Sequence, residues 1–166
     1  MASANKQLYH ACRNGDRDRA EELIDGGADV NWNDGQGWTP LMAAAMSGCA
    51  NVVALILDRG AEYLGQPEVN RKNCYGSTAL HRAARYGRDE VVQELVDRGA
   101  DTTIKNNQGQ VPLDIARKYR KTTIIRILEE AMTNGEKELK NYLICIVIPG
   151  IHCYQYLQVR KYYAIH

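Results

Sequence analysis

Residues 37–48 read GWTPLMAAAMSG and residues 76–87 read GSTALHRAARYG. Each is a glycine-bounded segment of about two helical turns, with threonine placed to open a helix and glycine to close it. A second apolar run follows, such as VVALIL from Val52. The closing glycines form a series, Gly15, Gly48 and Gly87, with steps of 33 and 39 residues, and Arg120 continues it after another 33. A GA dipeptide ends a tract three times, in LIDGGADVN from Leu23, LILDRGAEY from Leu55 and LVDRGADTT from Leu95. Self-similarity at such a period marks a repeat architecture, here with units reading helix, turn, helix, hairpin.

The longer step is an insertion of six residues between Glu62 and Val69, where GADVN of the first unit becomes GAE, YLGQPE and VN. Its Gly65 and Pro67 suit a surface loop. Thr39 and Thr78 can cap the first helices through their hydroxyls. Pro40 sits in a first turn, where its missing N–H costs nothing. Ala43, Ala44, Ala83 and Ala84 are small enough for neighbouring units to approach closely, while Leu41, Leu80 and Leu113 fill the space between them. A single unit cannot bury that surface, so the units must stack.

The signatures TPLMAA from Thr39, TALHRA from Thr78 and VPLDIA from Val111 resemble the ankyrin repeat, whose pattern is T-P-L-H-x-A at a period of about 33 residues. The resemblance covers residues 5 to about 132. Met42 and Asp114 stand where the family has histidine, Ala79 replaces its proline, and the first unit has only LYHAC at this place. It implies an all-α ankyrin-repeat solenoid, helix-turn-helix units joined by β-hairpin loops, with an irregular C-terminal tail. The expected divisions are an N-terminal capping repeat at 1–33, a second repeat with the insertion at 34–72, a third at 73–105, a C-terminal capping repeat at 106–133 and a hydrophobic tail at 134–166. The family's threonine and histidine tie neighbouring repeats together, so Thr78 and His81 are structural rather than catalytic.

Composition narrows the function. Lys and Arg total 21 against 20 Asp and Glu, so no general field draws in nucleic acid or an anionic membrane. The five cysteines, Cys12, Cys49, Cys74, Cys145 and Cys153, are odd in number and include no CxxC pair. They argue against a disulfide framework or a zinc site and for a reducing compartment, the cytoplasm or nucleus. Met1–Lys6 carries no basic segment leading into an apolar core, so no signal peptide is expected. His10, His81, His152 and His166 have no nucleophile or carboxylate partner at a motif spacing, and no P-loop or GxGxxG occurs. No catalytic residue, metal or cofactor is expected.

The chain is therefore expected to be an intracellular interaction module or adaptor that binds a protein partner. In the family, hairpin tips and first helices line a concave face. Here the tips offer Trp32, Asn33, Gln36 and Trp38, then Asn73, Tyr75 and Ser77, then Asn106, Asn107, Gln108 and Gln110. The first helices end on the equivalent pairs Arg13 and Asn14, Met46 and Ser47, Arg85 and Tyr86, and Lys118 and Tyr119. Aromatic residues are favoured interface anchors. Trp38, Tyr75, Arg85, Tyr86, Lys118 and Tyr119 thus form a basic, aromatic row suited to an acidic or extended segment, against the alternative of a solvated basic face. The resemblance also implies a hydroxylation site at Asn31, in the ADVN segment with Leu23 upstream; Asn70 matches less well because of the insertion.

After Met132 the repeat pattern stops. Tyr142–Ile148 is an apolar run rich in β-branched residues and strand-like in length. Extended to Leu157 it is interrupted by Pro149, His152 and Gln155, and a spanning helix needs about 20 mostly apolar residues. The tail is open between a packed strand or helix, a terminus with no evolved fold, and an anchor that would make the protein a membrane-tethered adaptor.

Overall fold

The computed structural model describes residues 3–63 and 68–147, and the elements among them are helices, with no strand. Four helix pairs follow in order: α1 Ala4–Asn14 and α2 Arg17–Asp25, α3 Pro40–Ser47 and α4 Ala50–Tyr63, α5 Ala79–Tyr86 and α6 Asp89–Asp97, α7 Pro112–Lys118 and α8 Thr122–Val147. The chain divides after Glu129, and the first compact unit holds α1 to α7 with the start of α8.

Local chemistry fixes where the first helices begin and end. The hydroxyls of Thr39 and Thr78 accept the backbone N–H of Met42 and His81, and Pro40 occupies the first turn of α3. Gly15, Gly48 and Gly87 close α1, α3 and α5 in the left-handed region, with φ of 73°, 89° and 70°. Arg120 adopts the same conformation at φ 54° and is the one non-glycine residue with positive φ among the described residues. The place it holds in the glycine series is thus a backbone requirement. An L side chain there costs about 1–2 kcal/mol, partly offset by the extra chain entropy a glycine would lose. Arg120→Gly is expected to stabilise the fold by about 0.5–1 kcal/mol, read as a higher urea midpoint at unchanged slope. An unchanged or lower midpoint would mean that the arginine side chain contributes more than its backbone strain costs.

The units stack as like against like. α1 packs on α3, α3 on α5 and α5 on α7, while α2 packs on α4 and α4 on α6. Leu8, Cys12, Met42, Ala44, Leu80 and Ala84 are buried along the first helices; Val52, Ile56, Val91 and Leu95 are buried along the second. Burial pushes the Cys12 thiol up to about 12, which keeps it a neutral core residue. Arg59 reaches back to Asp25 at 3.2 Å and Arg98 back to Asp58 at 2.6 Å. The DRGA tracts thereby tie each second helix to the one before it, each surface pair adding about 0–1 kcal/mol.

Two expectations need correction. The GA dipeptide that follows α2 and α6 does not end α4, which runs on to Tyr63, so the insertion begins as helix; its residues 64–67, with Gly65 and Pro67, lie outside the described residues. The tail is not irregular or strand-like at its start. α8 continues unbroken to Val147 and takes in most of the 142–148 run, because extending an existing helix avoids the cost of nucleation. Ile148 and the rest of the apolar segment to Leu157, with Pro149, His152, Cys153 and Gln155, lie outside the described residues. No helix among the described residues is long and apolar enough to cross a membrane, and most of the segment on which the membrane-tethered alternative rests lies outside the described residues.

Candidate functional site

Each hairpin tip is built by one device. The Oδ1 atom of Asp34 accepts the N–H of Gln36 and Trp38, that of Asn73 accepts Tyr75 and Ser77, and that of Asn106 accepts Gln108 and Gln110. A backbone bond closes each turn: Asp34 N–H to Trp38 O at 3.3 Å, Asn73 to Ser77 at 3.1 Å, Asn106 to Gln110 at 2.9 Å. Successive tips are also bonded to each other, Cys74 N–H to Gln36 O at 2.8 Å and Asn107 N–H to Tyr75 O at 3.0 Å. Gly37 makes the approach possible: its φ is 81°, and a Cβ there would lie 2.8 Å from the Asn73 Cα. The tips form a continuous rim beside the row of first helices.

On that rim Tyr75 is 58% exposed, and at the ends of α5 and α7 Tyr86 is 42% and Tyr119 40% exposed. These three are the exposed large hydrophobic residues among the described residues. Arg85 and Lys118 are exposed and both reach Tyr119, the guanidinium 5.5 Å and the ammonium 5.9 Å from the ring centroid. Trp38 is half-buried, edge-on to Tyr75 at 6.2 Å. The six residues therefore fall into two groups, Trp38 with Tyr75 and Arg85 with Lys118 and Tyr119, with Tyr86 on α5.

Other tip residues serve the fold instead. Asn73 and Ser77 are buried, consumed by the turn they close. Trp32 is half-buried and packs edge-on to Tyr9 of α1 at 6.2 Å. Met46 offers no free end to its helix, since its carbonyl accepts Arg88 Nε at 3.1 Å. Asn31 lies in a bonded position: its Oδ1 accepts the Glu68 N–H at 3.0 Å and its own N–H goes to Asp29 at 2.8 Å. Asn5 accepts Asp29 N–H and Asn70 accepts Asp101 N–H in the same manner, each at 2.9 Å. Asparagine at this place links one inter-unit loop to the next.

His81 is 1% exposed. Its Nδ1 accepts the Thr78 N–H at 3.2 Å and its Nε2 lies 3.0 Å from the Gln110 carbonyl of the following unit. An accepting Nδ1 requires the proton on Nε2, so the ring is neutral and donates across the repeat boundary. Burial, together with the cations Arg82 and Lys72, lowers its pKa. Where Asp114 replaces this histidine, its Oδ2 accepts the Val111 N–H at 3.1 Å, keeping the local bond and giving up the reach to a neighbour.

One residue escaped the sequence reading. Arg82 is 8% exposed, and its guanidinium carbon sits 4.3 Å from the Trp38 ring centroid and 5.6 Å from that of Tyr75. It fills the variable position of the signature, where Ala43 and Ile115 are buried in the other units. The available signal was a charge where the equivalent residues are apolar. Tyr86, one turn on, shares its helix face.

Comparison with known proteins agrees with this geometry. The family model described as "Ankyrin repeats (3 copies)" matches residues 5–66, and that described as "Ankyrin repeats (many copies)" matches residues 61–116. The human 2-5A-dependent ribonuclease is 37% identical over 70 residues, 42% of this chain and 9% of that protein. Glycerophosphocholine phosphodiesterase GDE1 of Eremothecium gossypii is 42% identical over 57 residues, 34% of this chain and 4% of that protein. The human ankyrin repeat, SAM and basic leucine zipper domain-containing protein 1 is 49% identical over 47 residues, 28% of this chain and 10% of that protein. The chain thus spans a tenth or less of these relatives, and what is shared is repeat sequence. With family matches running without a gap from residue 5 to residue 116 over stacked helix pairs joined by hairpin tips, the chain belongs to the ankyrin-repeat family.

Proposed function

We propose that the chain is an intracellular adaptor that holds an acidic or extended segment of a protein partner against its first helices and hairpin tips. Ankyrin repeats are protein-interaction modules. What supports it is the exposure of Tyr75, Tyr86 and Tyr119 and the approach of the exposed cations Arg85 and Lys118 to the Tyr119 ring. Tyrosine offers large contact area with a polar tip at low entropic cost, and the neighbouring cations complement carboxylates. The free thiols Cys12, Cys49 and Cys74 fit a reducing compartment.

The test begins with a partner captured by the full chain. Tyr86→Ala or Tyr75→Ala is expected to weaken that partner by about 2 kcal/mol, roughly 30-fold, as for an interface anchor. Arg85→Ala and Lys118→Ala, as rim charges, are expected mainly to slow association and reduce its salt dependence. Glu94→Ala on α6, whose pair with Arg98 spans 3.1 Å, serves as the control on the other side of the stack. A partner that loses affinity for the control while binding both tyrosine variants normally would place recognition on the second helices.

A further inference from the structure

We propose that the Arg82 guanidinium is the receptor for an Asp or Glu side chain in the partner's extended segment, an inference that rests on the binding face just described. More than nine-tenths of Arg82 is buried, yet the side chain has no hydrogen bond or ion pair with any described residue. Its Nε is sealed from solvent without a partner; the terminal nitrogens are not sealed in this way. More exposed arginines are better provided for: Arg17 pairs with Glu21, Arg71 with Glu68 and Arg117 with Glu129. A charge taken out of water with no acceptor is the costly arrangement, and a guanidinium cannot escape it by losing its proton near neutrality. What compensates here is the pair of aromatic rings, Trp38 at 4.3 Å and Tyr75 at 5.6 Å. Aromatic faces attract the charge but leave the in-plane N–H donors without acceptors.

The missing group is therefore an acceptor, and an anionic, planar one fits a guanidinium fork best, which describes a carboxylate. The other buried polar side-chain atom without a partner among the described residues is again a donor, Asn73 Nδ2, in the turn that carries Tyr75. The acids near this face are already engaged: Asp34 holds its own turn and Asp114 caps α7. Arg85, Lys118 and Lys72 are exposed cations; Arg85 lies within electrostatic reach of Arg82 and Lys72 within reach of the adjacent His81, so positive charge surrounds the guanidinium on its own helix and beside it. Trp38 and Tyr75 position the guanidinium, while Tyr75 and Tyr86 present exposed area to residues flanking the acid.

The probe is a displayed library of random-sequence peptides, selected on the full chain and resynthesised with an amidated C-terminus. The expected peptides share an acid whose Glu→Gln or Asp→Asn replacement weakens binding at least about tenfold, a loss of about 1.4 kcal/mol. That loss should shrink to less than about twofold on Arg82→Met, and Arg82→Lys should lie between, because a point charge lacks the fork. Arg82→Met is expected to melt near the wild-type temperature, since removal of an unpaired buried charge offsets the lost ring contacts. If Arg82→Met does not fold, the wild-type and Arg82→Lys comparison decides alone. The proposal is overturned if the peptides share no acid, if the cost of removing the acid is as large on Arg82→Met, or on Arg82→Lys where that comparison decides, or if amidation abolishes binding and so identifies a terminal carboxylate. Peptides that depend on Tyr86 but not on Arg82 would refute the receptor and leave the binding face standing, whereas independence from Tyr75, Tyr86 and Arg82 alike would refute both.

Discussion

Leu80→Ala is expected to cost about 2–5 kcal/mol of folding free energy, the range for truncating a buried leucine whose surroundings cannot close the gap. Leu80 is 1% exposed and lies on α5, which packs on α3 to one side and α7 to the other. Collapse into the space is hindered because α5 is held at both ends, by the Thr78 cap and by Gly87 in the left-handed region. On α5 itself Ala79, Ala83 and Ala84 are buried and small, and offer no longer side chain that could turn into the space. Stability in a stacked array is approximately the sum of unit and interface contributions, and a central unit takes part in two interfaces. Urea unfolding followed by circular dichroism reads the effect. A loss under about 1 kcal/mol would mean that α5 shifts freely between its neighbours.

His81→Ala is expected to cost about 2–4 kcal/mol, through the Gln110 carbonyl and Thr78 N–H left without their partner and the space the ring vacates. This residue also makes stability depend on pH. The folded ring is neutral, with Nδ1 accepting from Thr78 and Nε2 donating to Gln110. Its pKa is lowered by burial and by Arg82 and Lys72. In the unfolded chain the imidazole titrates near its ordinary value of about 6.5. Below that pH the unfolded chain binds the proton first, so stability rises with pH in this window. The contribution of neutral His81 is complete above about pH 6.5 and declines as the pH falls toward the lower folded value. The difference in unfolding free energy between wild type and His81→Ala should accordingly narrow from pH 7.5 to pH 5.5. A constant difference across that range would show that the folded chain accepts the proton without losing the inter-unit bond.

Much of the architecture was legible because it rests on local backbone chemistry that repeats. A threonine at a helix start and glycine at its end state their conformations wherever they occur. The equivalence of Arg120 to Gly15, Gly48 and Gly87, read from spacing alone, reappears as a shared positive φ. The helical continuation through residues 142–147 was not legible, since a short apolar run with β-branched residues carries no period that separates strand from helix. What decided it was α8 already in progress from Thr122.

The site divides along the same line. Sequence alone determined the repeat, the limits of the first helices, the core leucines and alanines, and which side chains recur at equivalent places, because each depends on residues within one unit and on the period relating the units. Only the tertiary structure decided which of those side chains remain open. Asn73 and Tyr75 stand two residues apart in one turn, yet one is buried by the turn it closes and the other is 58% exposed. Arg82 is separated from Trp38 by a whole unit in the chain and touches it only because α5 stacks on α3. Burial, and the lack of an acceptor for a buried charge, are properties of the stack: they depend on what the neighbouring units place against a residue.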